Sequence, residues 1–226
     1  MTGQDIVGRQ RRLGRSVMIA SLTLGLLLFH RGTGQGGHAD PDPAPLSVST
    51  QQDKSGELFQ EIFALTLDGN KPVVLDRITG LYFRIIHECP DTPLAQESHW
   101  RLIESFFADY RPARTDEALA LFEQFRRRYP TSPLNTAVKY TVARGLYMNQ
   151  EWDELLAMQT EVVEAFFLTG KLNSPLPVFY YAEANFHLQA LEKAEKGYRA
   201  LIDQYPDSRV ARMATTKMGQ IRHGRE

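Results

Sequence analysis

The chain has 226 residues, 42% of them hydrophobic and 23% charged, with a formal net charge of −1 at pH 7. That length and apolar fraction support one ordinary domain with a continuous core plus appendages, and place the chain in the globular class. Residues 1–38 carry five arginines against one aspartate, which leaves 21 basic and 26 acidic residues for the remainder, a balance that gives no reason to expect nucleic acid as a partner.

Residues Met1–Arg15 include Arg9, Arg11, Arg12 and Arg15, followed by the apolar run Val17–Phe29 and a stretch rich in small residues that ends at Ala39. A basic region, a short apolar core and a small-residue end are the parts of a secretory signal peptide, so residues 1–39 are expected to direct export. Cleavage after Ala39 would put Gly37 and Ala39 at the two small positions, although Gly34 and Gly36 are also small. The alternative is an uncleaved inner-membrane anchor at residues 17–29, shorter than the roughly 20 residues that span a bilayer. Arg11-Arg12 gives a weak twin-arginine hint, with Gly14 where an apolar residue is expected. Residues 40–54, with three prolines and no helical period, read as a flexible extended tether.

A helical domain is expected over residues 55–226. Ser55 or Gly56 opens an amphipathic run containing Leu58, Ile62, Phe63, Leu65 and Leu67, which Gly69-Asn70 stops. Val73–His87 completes a first hairpin, and from there the apolar period is helical throughout. Prolines 93, 112, 133, 175 and 177 fall at helix starts or in turns, and no alternating strand pattern intervenes. The clearest hairpin is Val178–Leu188 with Glu192–Gln204, closed by Tyr205-Pro-Asp-Ser. There Ala182 and Ala194 are small enough for close approach, and Phe186, Tyr198 and Leu201 supply bulk. Val210–Arg222 buries Ala211, Ala214, Met218 and Ile221 on one face and reads as a capping helix.

The stop signal recurs as Cys89-Pro-Asp-Thr-Pro-Leu, Tyr129-Pro-Thr-Ser-Pro-Leu, Leu172-Asn-Ser-Pro-Leu and Tyr205-Pro-Asp-Ser, at intervals of roughly 33–43 residues. With Ala182, Phe186, Ala194, Tyr198 and Pro206 at their spacings, the chain resembles the tetratricopeptide repeat, with Gln189 where that family usually has Gly. The second repeat matches through Trp100, Ile103, Phe107, Ala118, Phe122, Phe125 and Pro130. The third matches through Ala143, Tyr147 and Trp152, but Leu155 replaces the small alanine and Gln159 the large aromatic. The first repeat is recognisable only in Ile78, Tyr82, Ile85 and Pro90. The resemblance covers Gly56 to Glu226 and implies an all-α fold, a right-handed superhelical solenoid of about four helical hairpins with a C-terminal cap. More narrowly, the Tyr-Pro-x-Ser punctuation resembles bacterial envelope proteins: the lipoprotein of the outer-membrane β-barrel assembly machine and the periplasmic cell-division coordinator of the Tol–Pal system. No cysteine follows the apolar run, so the lipid anchor is not carried over.

No constellation for catalysis is legible. Ser98 and Ser105 lie near His99, but adjacent positions on a helix point apart and form no triad. The pairs Glu57 with Glu61 and Glu161 with Glu164 read as solvated acidic faces. Cys89, the single cysteine, forms no intramolecular disulfide and reads as a small apolar residue at a helix end. The six histidines lack metal-ligand spacing, and glycines cluster only near the N-terminus, so neither metal nor cofactor is expected. Recognition is the better prospect. The resemblance implies a concave face lined by the first helix of each pair, with partner-binding positions at Arg101 and Ser105, at Tyr140, Arg144 and Tyr147, and at Phe179, Glu183 and His187. Aromatic rings with a few charges suit an extended peptide. The expected function is a non-catalytic adaptor in the periplasm, with an obligate subunit of an envelope complex, or an envelope enzyme with an unrecognised site, as alternatives.

Overall fold

The computed structural model describes residues 46–67 and 71–223. The export segment 1–39, the stretch that follows it to residue 45 and the Gly69-Asn70 stop lie outside them. Among the described residues there are nine helices and no strand. They are α1 (Val48–Leu67), α2 (Lys71–Glu88), α3 (Pro93–Ala108), α4 (Thr115–Arg128), α5 (Asn135–Met148), α6 (Trp152–Thr169), α7 (Leu176–His187), α8 (Leu191–Gln204) and α9 (Arg209–His223). No helix among the described residues is long and apolar enough to cross a membrane.

Each helix packs on the next, and the first helices of successive pairs also pack on one another in the order α1, α3, α5, α7, α9. The second helices α2, α4, α6 and α8 have no such mutual packing. A stack whose first helices touch while its second helices splay apart turns its first helices inward, which is the helical-solenoid arrangement. The expected packing residues are buried: Phe107, Ala118, Phe122, Ala143, Ala182, Ala194 and Tyr198 all lie within the main core. Trp100, Trp152 and Phe186 are half-buried against it, and Pro206 is exposed in the turn before α9. Ala211, Ala214, Met218 and Ile221 of α9 are buried as a cap requires.

The recurring stop signals have a physical use. Tyr129 donates from its hydroxyl to the Pro90 carbonyl at 2.7 Å, and Tyr205 donates to the Leu172 carbonyl at 2.8 Å. Each tyrosine thus ties the end of its own hairpin to the end of the preceding one, satisfying a carbonyl that a helix terminus leaves unpaired. The hydroxyl residues of the same signals start the following helix. Thr92 Oγ1 accepts from the Ala95 amide at 3.2 Å with Pro93 in the first turn, and Ser208 Oγ accepts from the Ala211 amide at 3.1 Å. In α4, Asp116 and Glu117 in the first turn and Arg126, Arg127 and Arg128 in the last oppose the helix dipole at both ends.

The first helix starts at Val48 rather than at the expected residue 55. Ser47 Oγ accepts from the Thr50 amide at 3.2 Å and caps it. The two turns that follow bury Gln51 and Ser55, polar residues that carry no apolar period. Gln51 is nevertheless well held: its Nε2 donates to Asp91 Oδ2 at 3.2 Å and its Oε1 accepts from the Asp91 amide at 3.0 Å, joining α1 to the turn between α2 and α3. The third repeat ends earlier than its Leu172 signal, at Gly170 with φ 68°, a left-handed cap.

Candidate functional site

The inner surface is built by α3, α5 and α7, and its chemistry changes along the stack. On α3, Arg101 is held by Glu97 at 3.1 Å and Glu104 at 3.6 Å, and its guanidinium lies 5.2 Å from the Trp100 ring centre. Arg101 and Ser105 line a cleft of about 590 Å³ whose apolar wall includes Phe59, Phe63 and Tyr82. On α5, Arg144 is exposed and makes no hydrogen bond or ion pair among the described residues, and Tyr140 beside it is 45% exposed. Arg144 borders a second cleft, of about 240 Å³, between α3 and α5, shared with Glu104, Arg111, Thr141 and Met148. Its floor is Phe107 against Gly145. A Cβ on Gly145 would stand 2.3 Å from the Phe107 ring, so the glycine is what lets the two first helices approach this closely.

Toward the C-terminal end the surface closes on itself. Glu183, expected to face a partner, is 2% exposed. It accepts from the Tyr198 hydroxyl at 2.5 Å and the Tyr147 hydroxyl at 3.3 Å, and Lys217 Nζ lies 3.6 Å away. A carboxylate gains nothing from burial unless donors and a cation surround it, and here α5, α8 and α9 supply them. Phe179 is 4% exposed, packed on Tyr147 with ring centres 5.7 Å apart. The expected fourth-repeat contribution is therefore corrected: Phe179 and Glu183 are covered by neighbouring helices and belong to the packing. His187 is exposed but lies flat on Trp152, centroids 4.1 Å apart and planes within 4°. Burial and the nearby Lys217 push its pKa below the usual histidine value. Burial, then the Glu183 charge, raises the Tyr147 phenol.

The structure thus brings Tyr140 and Arg144 together on an open face and places Arg101 and Ser105 at the neighbouring cleft. Tyr147, Phe179, Glu183 and His187 form a separate, internally satisfied cluster. Sequence reasoning missed Lys217 of α9, and Arg111 and Met148, which lie in the turn after α3 and at the end of α5 and complete the Arg144 cleft. For Lys217 and Arg111 the reason is that spacing within one repeat holds no signal for a residue supplied by another. Ser98 and His99 are both fully buried in α3, with His99 Nδ1 2.8 Å from the Ala95 carbonyl. Cys89 is buried, and burial raises its thiol pKa.

No curated protein matches the chain. A family model does: that of the outer membrane lipoprotein YfiO matches residues 86–224, from the end of α2 through α9. The match spans more than half of the chain and covers every element that builds the Arg144 face, and by it the protein belongs to the YfiO outer membrane lipoprotein family.

Proposed function

We propose that the chain is a non-catalytic adaptor of the bacterial cell envelope, exported to the periplasm, that grips a segment of a partner protein on the inner face of its helical stack. The observation that carries this reading is Arg144: an exposed guanidinium that makes no hydrogen bond or ion pair among the described residues, beside Tyr140 and over a cleft between two first helices. Arg101, one repeat earlier, is by contrast already paired with two glutamates. An arginine free to make directed hydrogen bonds next to an exposed ring is the composition of interface hot spots, and its natural complement is a carboxylate or main-chain carbonyl of the partner. The family supports envelope placement and a protein-interaction role.

The test isolates the partner from envelope extract by pull-down and compares its affinity for the parent and Arg144→Ala proteins after equal melting has been established. Loss of about tenfold or more in Kd is expected. Unchanged affinity removes Arg144 from the site. A second reading, an obligate subunit of an envelope complex, is favoured by the exposed Phe63, Leu67 and Val73 on the first hairpin, 62%, 70% and 73% accessible. Size-exclusion behaviour of residues 40–226 separates the two: a well-behaved monomer supports the adaptor, and self-association relieved by a partner supports the subunit.

A further inference from the structure

Gln159 occupies a position that the repeat gives to a large aromatic ring. Four residues after the small residue of the second helix stand Phe122 in α4 and Tyr198 in α8, both buried, and in α6 the same spacing from Leu155 reaches Gln159. Gln159 is only 2% exposed, its carboxamide makes no hydrogen bond among the described residues, and its polar atoms stay open to the solvent of a cleft. A carboxamide carries two donors and an acceptor, which water meets there until a ligand displaces it. What it lines is a cleft of about 180 Å³ among α5, α6 and α7, whose walls include Tyr140, Ala143, Val162, Pro177 and Tyr180. That volume is below the roughly 300–1,000 Å³ of small-molecule sites, and fits one side chain rather than a metabolite.

We propose that this cleft receives a tyrosine side chain from the partner's segment, with the ring against Ala143, Val162 and Pro177 and the hydroxyl bonded to the Gln159 carboxamide. The third repeat then obtains from its partner the ring that the second and fourth repeats carry themselves. Tyrosine is specified by both halves of the site. The walls are mostly apolar and reward a ring, and the amide rewards a hydroxyl; phenylalanine would displace the water that meets the amide and leave it unpaired. A carboxylate would reach the amide only by losing its own hydration, with Lys139 at the rim and not at the floor. The inference rests on reading the chain as a protein-binding module, and it adds the identity of one anchor residue.

The test uses the full chain and two probes, N-acetyl-tyrosinamide and N-acetyl-phenylalaninamide, followed by NMR at the Gln159 side-chain amide and, in every variant, at the methyl group of Ala143 in the same cleft. A saturable shift is expected with the tyrosine probe, with binding of the phenylalanine probe weaker by about tenfold. Gln159→Phe should fill the cleft, melt no lower than the parent and lose the response. If it melts lower, Gln159→Leu serves, since it keeps the space but removes the amide, and should bind both probes equally. No shift at Gln159 with either probe, equal binding of both probes by the parent, or retained selectivity in Gln159→Leu overturns the proposal. The probes read the Gln159 cleft alone, whereas the Arg144→Ala comparison reads affinity for the whole partner. Failure of the probes with an intact Arg144 effect on the partner would therefore sink the tyrosine site alone, and the reverse result would sink the groove reading alone.

Discussion

Tyr198 donates its hydroxyl hydrogen to Glu183 at 2.5 Å, and neither residue is reached by water, at 0% and 2% exposure. Because Tyr147 and Lys217 converge on the same carboxylate, one buried charge joins α5, α7, α8 and α9. Burial, reinforced by the hydrogen bond to Glu183, holds the Tyr198 phenol far above its ordinary pKa, so it remains a donor.

Removing either partner of this bond should cost stability in unequal measure. Tyr198→Phe deletes one charge-assisted hydrogen bond, expected to cost about 1.5–3 kcal/mol. Glu183→Ala strands the buried Tyr198 hydroxyl and leaves a void, and should cost at least as much, about 2–4 kcal/mol. Lys217, with 23% of its side chain exposed, can turn to water and limits the loss. Urea unfolding of the two single variants and the double variant decides the matter. The double variant should lose less than the two losses added, and strict additivity would show that the bond contributes nothing.

His99 makes stability depend on pH. Its ring is fully buried against Phe125 and Tyr129, with centroids 5.8 and 5.6 Å away. Burial, with a contribution from Arg128, lowers its pKa, and the bond to the Ala95 carbonyl only partly opposes this. The folded chain therefore keeps His99 neutral, whereas the unfolded chain takes up a proton below about pH 6.5. The unfolded state binds more protons there, so this contribution is complete above that pH and is lost as pH falls toward the folded value. Lower melting at pH 5.5 than at pH 7.5 is expected. His99→Leu, whatever its absolute stability, should show a smaller drop, and an unchanged drop would place the effect elsewhere.

The register of the hairpins was legible because Ala118, Phe122, Ala194 and Tyr198 follow an apolar period that burial enforces. The start of α1 was not, because its buried face is Gln51 and Ser55, held by hydrogen bonds instead of by apolar contact. Glu183 could not be recognised as internal: a carboxylate reads as exposed until its partners are known, and those partners come from three other helices. Arg144 and Tyr140 were legible as a shared face because both lie on one helix. The clefts beside them were not, being shaped by Phe107, Gly145 and Gln159 across helices.

The glycines rank by what a methyl group would meet. In Gly145→Ala the new Cβ would lie 2.3 Å from the ring of Phe107, itself 5% exposed, so α3 and α5 must separate. The expected cost is about 1–3 kcal/mol, above the roughly 1 kcal/mol that alanine returns in helix propensity. In Gly197→Ala the contact is 2.9 Å to the Ala182 Cβ, a milder overlap that should cost less than Gly145→Ala. Gly80 in α2 has nothing within 4 Å of its Cβ position, and Gly80→Ala should stabilise by about 0.5–1 kcal/mol. Thermal melting of the three variants tests the order, and a stabilising Gly145→Ala would contradict the packing of α3 on α5.

The turns inside the third and fourth hairpins give the last expectation. Gln150 and Gln189 both adopt left-handed backbone, φ 61° and 63°. Around each the bonding is the same: Glu151 N donates to the Leu146 carbonyl at 3.0 Å, and Ala190 N to the Asn185 carbonyl at 2.8 Å. This is the helix-ending loop that glycine ordinarily closes, which explains why the repeat prefers glycine where this chain has Gln189. A side chain at that φ is strained by about 1 kcal/mol or more. Glycine removes the strain at a smaller cost in unfolded-chain entropy. Gln150→Gly and Gln189→Gly should each stabilise by about 0.5–1 kcal/mol, and additively, since the turns share no partner. Gln189→Ala, which keeps a Cβ, should gain nothing. Gly170 already supplies glycine at φ 68°, and Gly170→Ala should show the opposite sign by a similar amount. If Gln189→Gly and Gln189→Ala melted alike, the left-handed turn would not be a source of strain, and the glutamine would be held there by interactions of its own side chain.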